Sequence, residues 1–159
     1  MGSLSKKGGQ EMSVREVRGE LAKTFDKLNT VYFATVKGTQ PWMRPVTLIH
    51  QNFNFWIVTG AKDKKSAHIA GNPRIAFVLP LKKGRYTGYI RATARARRVK
   101  SKPEIKRVAR RCGYVDQYFK KGVDDPNLAV FRITPTRMLR MKPRTMNEED
   151  VTLAVRKRK

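Results

Sequence analysis

The sequence predicts a mainly β fold with added helices: a six-stranded antiparallel barrel flanked by three peripheral helices. Three observations predict it. Short β-branched and aromatic runs recur through the middle of the chain, and tight turn signals separate most of them. Helical periodicity is confined to the start, to a short stretch after Asp63, and to a basic stretch after Lys102.

The elements follow in order. Residues 1–12 are Gly/Ser/Lys-rich and read as a disordered segment before the domain proper, 13–143. Ser13 and Glu16 form a capping box, and Val14, Val17, Leu21, Phe25 and Leu28 predict an amphipathic helix over 14–28. Val31–Lys37 is a strand ended by Gly38. Trp42–His50 is the next, admitting Pro45 only at an edge or bulge. Gln51-Asn52 turns the chain into Phe53–Thr59. A helix over Lys64–Gly71 is stopped by Gly71 and Pro73. Strands Arg74–Leu81 and Tyr86–Val99 flank a Gly-containing hairpin, and Pro103 opens a helix running to Lys121. Leu128–Met141 is the last strand, and residues 144–159, with Glu148–Asp150 and RKRK, read as a charged tail.

A chain of 159 residues suits one domain with a real core. Hydrophobic residues at 40% and charged residues at 30% fit a soluble globular protein. No apolar run approaches the roughly 20 residues that span a bilayer, and MGSLSKKGGQ lacks a signal-type apolar stretch; the cytoplasm is the expected compartment. Cys112 is the lone cysteine and there are two histidines, so neither a disulfide framework nor a metal site is expected. The net charge of +24, from 36 Lys+Arg against 12 Asp+Glu, predicts attraction to a small anionic cofactor and unspecific nucleic-acid binding at low salt.

The most informative stretch is Arg44–Pro80. Arg44 begins one strand, Thr59 ends the next, and Lys64 and Lys65 open the short helix. Those four can converge on one phosphate, which needs donors from several segments to offset its desolvation. The arginine offers a planar fork, the lysines point charges, the threonine a hydroxyl, and the helix start free N–H groups. Alone the pattern is unspecific, because 36 cations place charge near many loops.

In order and spacing, however, Arg44-Pro45-Val46-Thr47, Val58-Thr59, Lys64-Lys65 and Asn72-Pro73 resemble the flavin mononucleotide (FMN) site of the pyridoxamine 5'-phosphate oxidase-like split barrels. Tyr89–Val99 and Phe131–Thr136 resemble later strands of that family, and the likeness covers about residues 15–141. It implies a split β-barrel homodimer with FMN at the subunit interface. Arg44, Pro45, Val46, Thr47, Val58 and Thr59 inherit flavin contacts, Lys64 and Lys65 the phosphate cations. Tyr89 stands where the oxidases have a flavin-contacting glutamine. Three departures matter. Asp63 replaces a Ser beside the phosphate and would repel it unless turned outward or paired with Lys62. Ile49 replaces the lysine that holds substrate phosphate in the true oxidases, and their C-terminal Arg-x-His segment is missing. The expectation is an FMN-dependent oxidoreductase with no assigned catalytic residue that is not a pyridoxamine phosphate oxidase. The alternatives are the same fold binding a deazaflavin coenzyme or haem, and a basic nucleic-acid module without catalysis.

Other residues have blander readings. Trp42 reads as core or interface in preference to cofactor wall. His50 reads as exposed beside its turn, His68 as packing or solvated, and Cys112 as buried packing. Arg91, Arg95 and Arg97 share one strand face, either a solvated exterior or a rim for an anionic partner.

Overall fold

A computed structural model describes residues 6, 7 and 10–156. Two-residue strands β1 (Lys6–Lys7) and β2 (Gln10–Glu11) pair ahead of helix α1 (Val14–Phe25). There follow β3 (Asn29–Lys37), β4 (Gln40–Gln51), β5 (Asn54–Gly60), α2 (Lys64–Gly71), β6 (Arg74–Lys83) and β7 (Tyr86–Arg98). Helices α3 (Lys102–Cys112) and α4 (Val115–Tyr118) precede β8 (Leu128–Met141), β9 (Glu148–Asp150) and α5 (Thr152–Val155). Among the described residues, no helix is long and apolar enough to cross a membrane.

Strands run antiparallel in the order β5-β4-β3-β6-β7-β8, and β5 pairs back onto β8 to close a six-stranded ring. The ring is uneven. β6–β7 pairs from Arg74↔Arg95 to Lys83↔Tyr86, but β4–β5 pairs only over Ile49↔Trp56, His50↔Phe55 and Gln51↔Asn54. Two strongly paired halves joined by short ladders make a split barrel. Pro45 pairs with Tyr32 of β3 on a stretch of β4 that β5 does not reach, so its missing N–H interrupts no ladder on the other side.

Two hydrophobic clusters explain the sequence patterns. Phe33, Phe55, Ile57, Phe77, Ile90 and Met138 fill the barrel together with Leu21 and Phe25 of α1. Outside it, α3 and α4 press Val108, Cys112, Val115 and Phe119 onto Ile49, Trp56 and Val58. β5 is therefore buried on both faces, and it reads as a continuous apolar run without alternation.

Several boundaries move. The Ser13–Glu16 capping box is formed, with Glu16 N–H donating to Ser13 Oγ at 3.2 Å and Ser13 N–H to Glu16 Oε2 at 2.8 Å. α1 nevertheless ends at Phe25, and Leu28 lies 52% exposed, because Asn29 already opens β3 and its amide holds the Thr24 and Lys27 carbonyls. The helix expected to reach Lys121 breaks after Cys112, where Gly113 takes φ +75°, a left-handed cap that glycine adopts without strain. Met12 is buried in the core, so the part of 1–12 read as disordered ends earlier; residues 1–5, 8 and 9 lie outside the described residues.

The C-terminal boundary is the larger correction. Residues 144–155 are no tail: β9 pairs with β8 from Leu139↔Asp150 to Met141↔Glu148, and Val151, Ala154 and Val155 enter the core. Three consecutive acids each find a cation: Glu148 with Arg91, Glu149 with Arg140, Asp150 with Arg137. The end of RKRK, residues 157–159, lies outside the described residues.

One glycine on β7 is fixed by close approach. A Cβ at Gly88 would meet the Met141 carbonyl oxygen at 2.2 Å and the Pro143 nitrogen at 2.7 Å, both backbone atoms. Gly88→Ala is expected to destabilise the fold by about 1–3 kcal/mol, the usual cost of overpacking, read as a lower urea midpoint. An unchanged midpoint would mean that the segment after β8 yields freely.

Candidate functional site

The split creates a cleft. Past Ile49↔Trp56, β4 stays with β3 while β5 turns to β8, and Pro45–Thr47 separate from Val58–Gly60. The gap, about 710 Å³, is flanked by Tyr114, Gln117, Tyr118 and Phe119 around α4, and by Asn127. That size suits a cofactor or drug-sized ligand. Pro45, Val46, Thr47, Val58, Thr59 and Lys65, six of the residues expected at the site, line it together.

One end of the cleft is built for an oxyanion, and the oxyanion there belongs to the chain. Asp63 Oδ2 accepts from the Thr59 hydroxyl at 2.7 Å, from Lys65 Nζ at 2.9 Å and from the Gly60 N–H at 3.2 Å. The Thr59 bond first, and then Lys65, hold the Asp63 carboxyl below its ordinary range despite partial burial. The expected escape, pairing with Lys62, is not the one used; Lys65 takes that role. The loop beneath is rigidly tied. Ser66 Oγ donates to the Gly60 carbonyl at 2.7 Å, and Asn127 accepts from Ala61 N–H at 2.6 Å through its backbone carbonyl and from Lys62 N–H at 3.2 Å through its side chain.

Three expected site residues lie elsewhere. Arg44 alternates with Pro45 across the pleat and turns away from the cleft, its Nη1 donating to Thr35 Oγ1 at 2.7 Å and to the Trp42 carbonyl at 3.1 Å. Burial lowers its guanidinium pKa. Lys64 sits with it, its ammonium 5.7 Å from the Trp42 ring centroid. His68 joins this group through Nδ1, 2.8 Å from Thr35 Oγ1; desolvation and the charges of Arg44, Lys37 and Lys64 push its pKa down. Trp42 is 42% exposed at the edge of that group, so it is not core. Lys37, Lys64, Trp42 and His68 line a second basic hollow, apart from Thr59 and Lys65. Tyr89 is on the outer surface, donating to Glu148 Oε2 at 2.7 Å beside Arg91; these bonds hold the Glu148 carboxyl down at about 2.

His50 is buried, contrary to expectation. Its Nε2 accepts from the Phe53 N–H at 2.9 Å, the ring packs among Phe25, Phe53 and Phe55, and burial lowers its pKa. Cys112 is buried as expected, and burial raises its thiol pKa, which does not favour a nucleophilic thiolate. No metal-holding group of His, Cys, Asp or Glu occurs among the described residues.

The cleft also contains residues that sequence reasoning missed. Tyr114 and Tyr118 meet edge to face at 5.8 Å, Tyr118 is 73% exposed, and burial drives the Tyr114 phenol pKa strongly upward. Their sequence signal is the aromatic spacing in YVDQYF directly after Gly113. The pair presents an aromatic edge to the cleft, with Tyr114 and Tyr118 both in its lining.

The family model described as pyridoxamine 5'-phosphate oxidase matches residues 17–142. A search of curated proteins finds no match. Among solved structures, general stress protein 26 from Bacillus anthracis str. Sterne is similar at 17% identity and TM-score 0.69, over 80% of this chain and 95% of that one. A NimC/NimA family protein from Clostridium acetobutylicum is similar at 19% identity and TM-score 0.70, over 86% of this chain and 92% of that one. A haem-binding protein from Mycobacterium smegmatis gives 14% identity and TM-score 0.70, over 92% of this chain and 61% of that one. At such identities the likeness is one of fold.

Proposed function

This chain belongs to the pyridoxamine 5'-phosphate oxidase family, and from that premise we propose that it is an FMN-binding homodimeric flavoprotein acting as an oxidoreductase. The observation that carries the reading is the convergence of Thr59, Gly60 N–H and Lys65 on one oxyanion at the end of a ligand-sized cleft. An oxygen anion is already at home there, so the donor set suits a phosphate end. The backbone of Val46, Thr47 and Val58 would hold the ring edge, with Tyr114, Tyr118 and Phe119 as walls. Flavin bound there would supply hydride-type redox chemistry; the chain binds, orients and excludes water. A second copy would cover the exposed Tyr32, Trp42 and Met43 on β3 and β4, and would bring Tyr89 to the ring from across the interface. Light scattering should give twice the monomer mass.

Absorbance of the protein after FMN loading and gel filtration tests the reading: retained flavin bands support it. Retention of deazaflavin or haem in competition would replace it. Haem is the weaker alternative because neither His50 nor His68 lines the cleft. Nucleic-acid binding that vanishes by moderate salt would mark the +24 charge as an unspecific attraction.

Pyridoxamine phosphate is not the expected substrate. Ile49 is fully buried under α3, so the position that carries the true oxidases' lysine points into a core. Without that lysine, about 1.5–3 kcal/mol for the lost charged hydrogen bond disappears. The loss lowers turnover by about one to two orders of magnitude. FMN-loaded protein should form little pyridoxal phosphate while dithionite still bleaches its flavin bands. Efficient turnover would mean that another cation replaces the missing one.

A further inference from the structure

The anion end of the cleft is occupied by Asp63, and the surrounding backbone keeps it there. An N-cap aspartate ordinarily turns its carboxylate onto the first N–H groups of its helix. Asp63 is the N-cap of α2, yet its side chain makes no cap bond and turns back to Thr59 and Gly60. Its main chain is fixed at both ends: Asp63 N–H donates to the Gly60 carbonyl at 3.1 Å, and the Asp63 carbonyl accepts from Ser66 N–H at 3.0 Å. Gly60 makes the close approach possible, since a Cβ there would stand 2.9 Å from Asp63 Oδ1. The carboxylate therefore sits directly on the donors that an incoming phosphate would use.

We infer that Asp63 sets the ligand preference of this cleft by competing with the ligand's phosphate for Thr59, Gly60 N–H and Lys65. This rests on the flavin reading above and deepens it. A phosphate ester entering the cleft must either displace the carboxylate, which then faces an anion without its former partners, or lie beside it and meet its repulsion. Either way the phosphate adds less to binding than its three donors would otherwise provide. A flavin without phosphate meets no such competition. The wild-type chain therefore discriminates weakly between FMN and riboflavin, and the discrimination is latent in the donors.

The test measures FMN and riboflavin dissociation constants for wild type, Asp63→Ser and Asp63→Asn by quenching of flavin fluorescence, with circular dichroism to verify folding. Serine keeps a good helix cap, and asparagine keeps the shape while removing the charge. The expected result is an FMN affinity about tenfold or more tighter in the variants, with riboflavin within about twofold of wild type. Should serine fail to fold, asparagine alone decides. FMN affinity unchanged or weakened, or both ligands moving in parallel, would overturn the role of Asp63 while leaving the flavin reading intact. If neither flavin binds any of the three proteins, the flavin reading falls, and this inference with it.

Discussion

Arg140→Ala is expected to destabilise the protein by about 3–5 kcal/mol, the cost of removing one member of a buried ion pair. Arg140 is 4% exposed, yet it joins three elements: Nη1 donates to Glu20 Oε2 of α1 at 2.9 Å, and Nε to Glu149 Oε1 of β9 at 2.6 Å. Truncation strands Glu149, whose side chain is only 13% exposed, against the core that β9 helps to close. Among the described residues Nη2 has no hydrogen-bond partner, so the guanidinium is held by these carboxylates with little to spare. The urea midpoint should fall sharply, and adding Glu149→Ala to Arg140→Ala should recover part of the loss, because the orphaned charge is gone. The pH dependence has a defined sign. Burial raises the Glu20 carboxyl pKa, but Lys142 and Arg140 together outweigh it, leaving the pKa below its ordinary value. A depressed carboxylate contributes stability that is present above its unfolded pKa and lost as pH falls through the folded one. Arg140→Ala should therefore shrink the acid-side loss without abolishing it, since Lys142 still pairs with Glu20 at 3.2 Å. A variant within about 0.5 kcal/mol of wild type, the range of ordinary surface changes, would show that β9 is held by its ladder alone.

The barrel was legible in the sequence because its signals are local. The Ser13–Glu16 box, the β-branched and aromatic run Val31–Lys37 ended by Gly38, and the Gly71–Pro73 stop each act within a few residues. Pro45 even foretold a stretch of β4 left open on one side. The site was legible by segment and not by side chain. Arg44 and Pro45 face opposite ways on a strand, and Lys64 and Lys65 lie roughly 100° apart on a helix, so the side chains of each pair diverge. Sequence order does not say which member faces the cleft. Pro45 and Lys65 line the cleft, while Arg44 bonds the Trp42 carbonyl and Lys64 stands over the Trp42 ring. The clamp made by Glu148–Asp150 was missed for another reason: three residues are too few to display a period, and neither the distant partner Arg91 on β7 nor the nearer Arg137 and Arg140 on β8 announces the pairing. Tyr114 and Tyr118 were hidden inside a helix read as continuous, which Gly113 divides.

Lys65→Glu should abolish most FMN affinity, a loss of about a hundredfold or more at physiological salt. Lys65 is the cation that lines the anion end, 2.9 Å from Asp63 Oδ2, with a side chain only 19% exposed. Reversal removes the cation for which Asp63 and the phosphate compete, an attraction of at most about 1.5–3 kcal/mol. It also places a second carboxylate beside Asp63, so an arriving phosphate meets repulsion where it had attraction. At 1.4 kcal/mol per tenfold, the two effects together exceed two orders of magnitude. Lys83→Glu makes the same change of charge on the exposed hairpin between β6 and β7, away from the cleft lining. Screening over a Debye length of about 8 Å should leave its FMN affinity within about twofold of wild type. Riboflavin separates local from global effects once more: its binding should be weakened far less than that of FMN by Lys65→Glu, because it carries no phosphate to repel. Equal FMN losses from Lys65→Glu and Lys83→Glu would instead show that the overall +24 charge, and no particular lysine, attracts the cofactor.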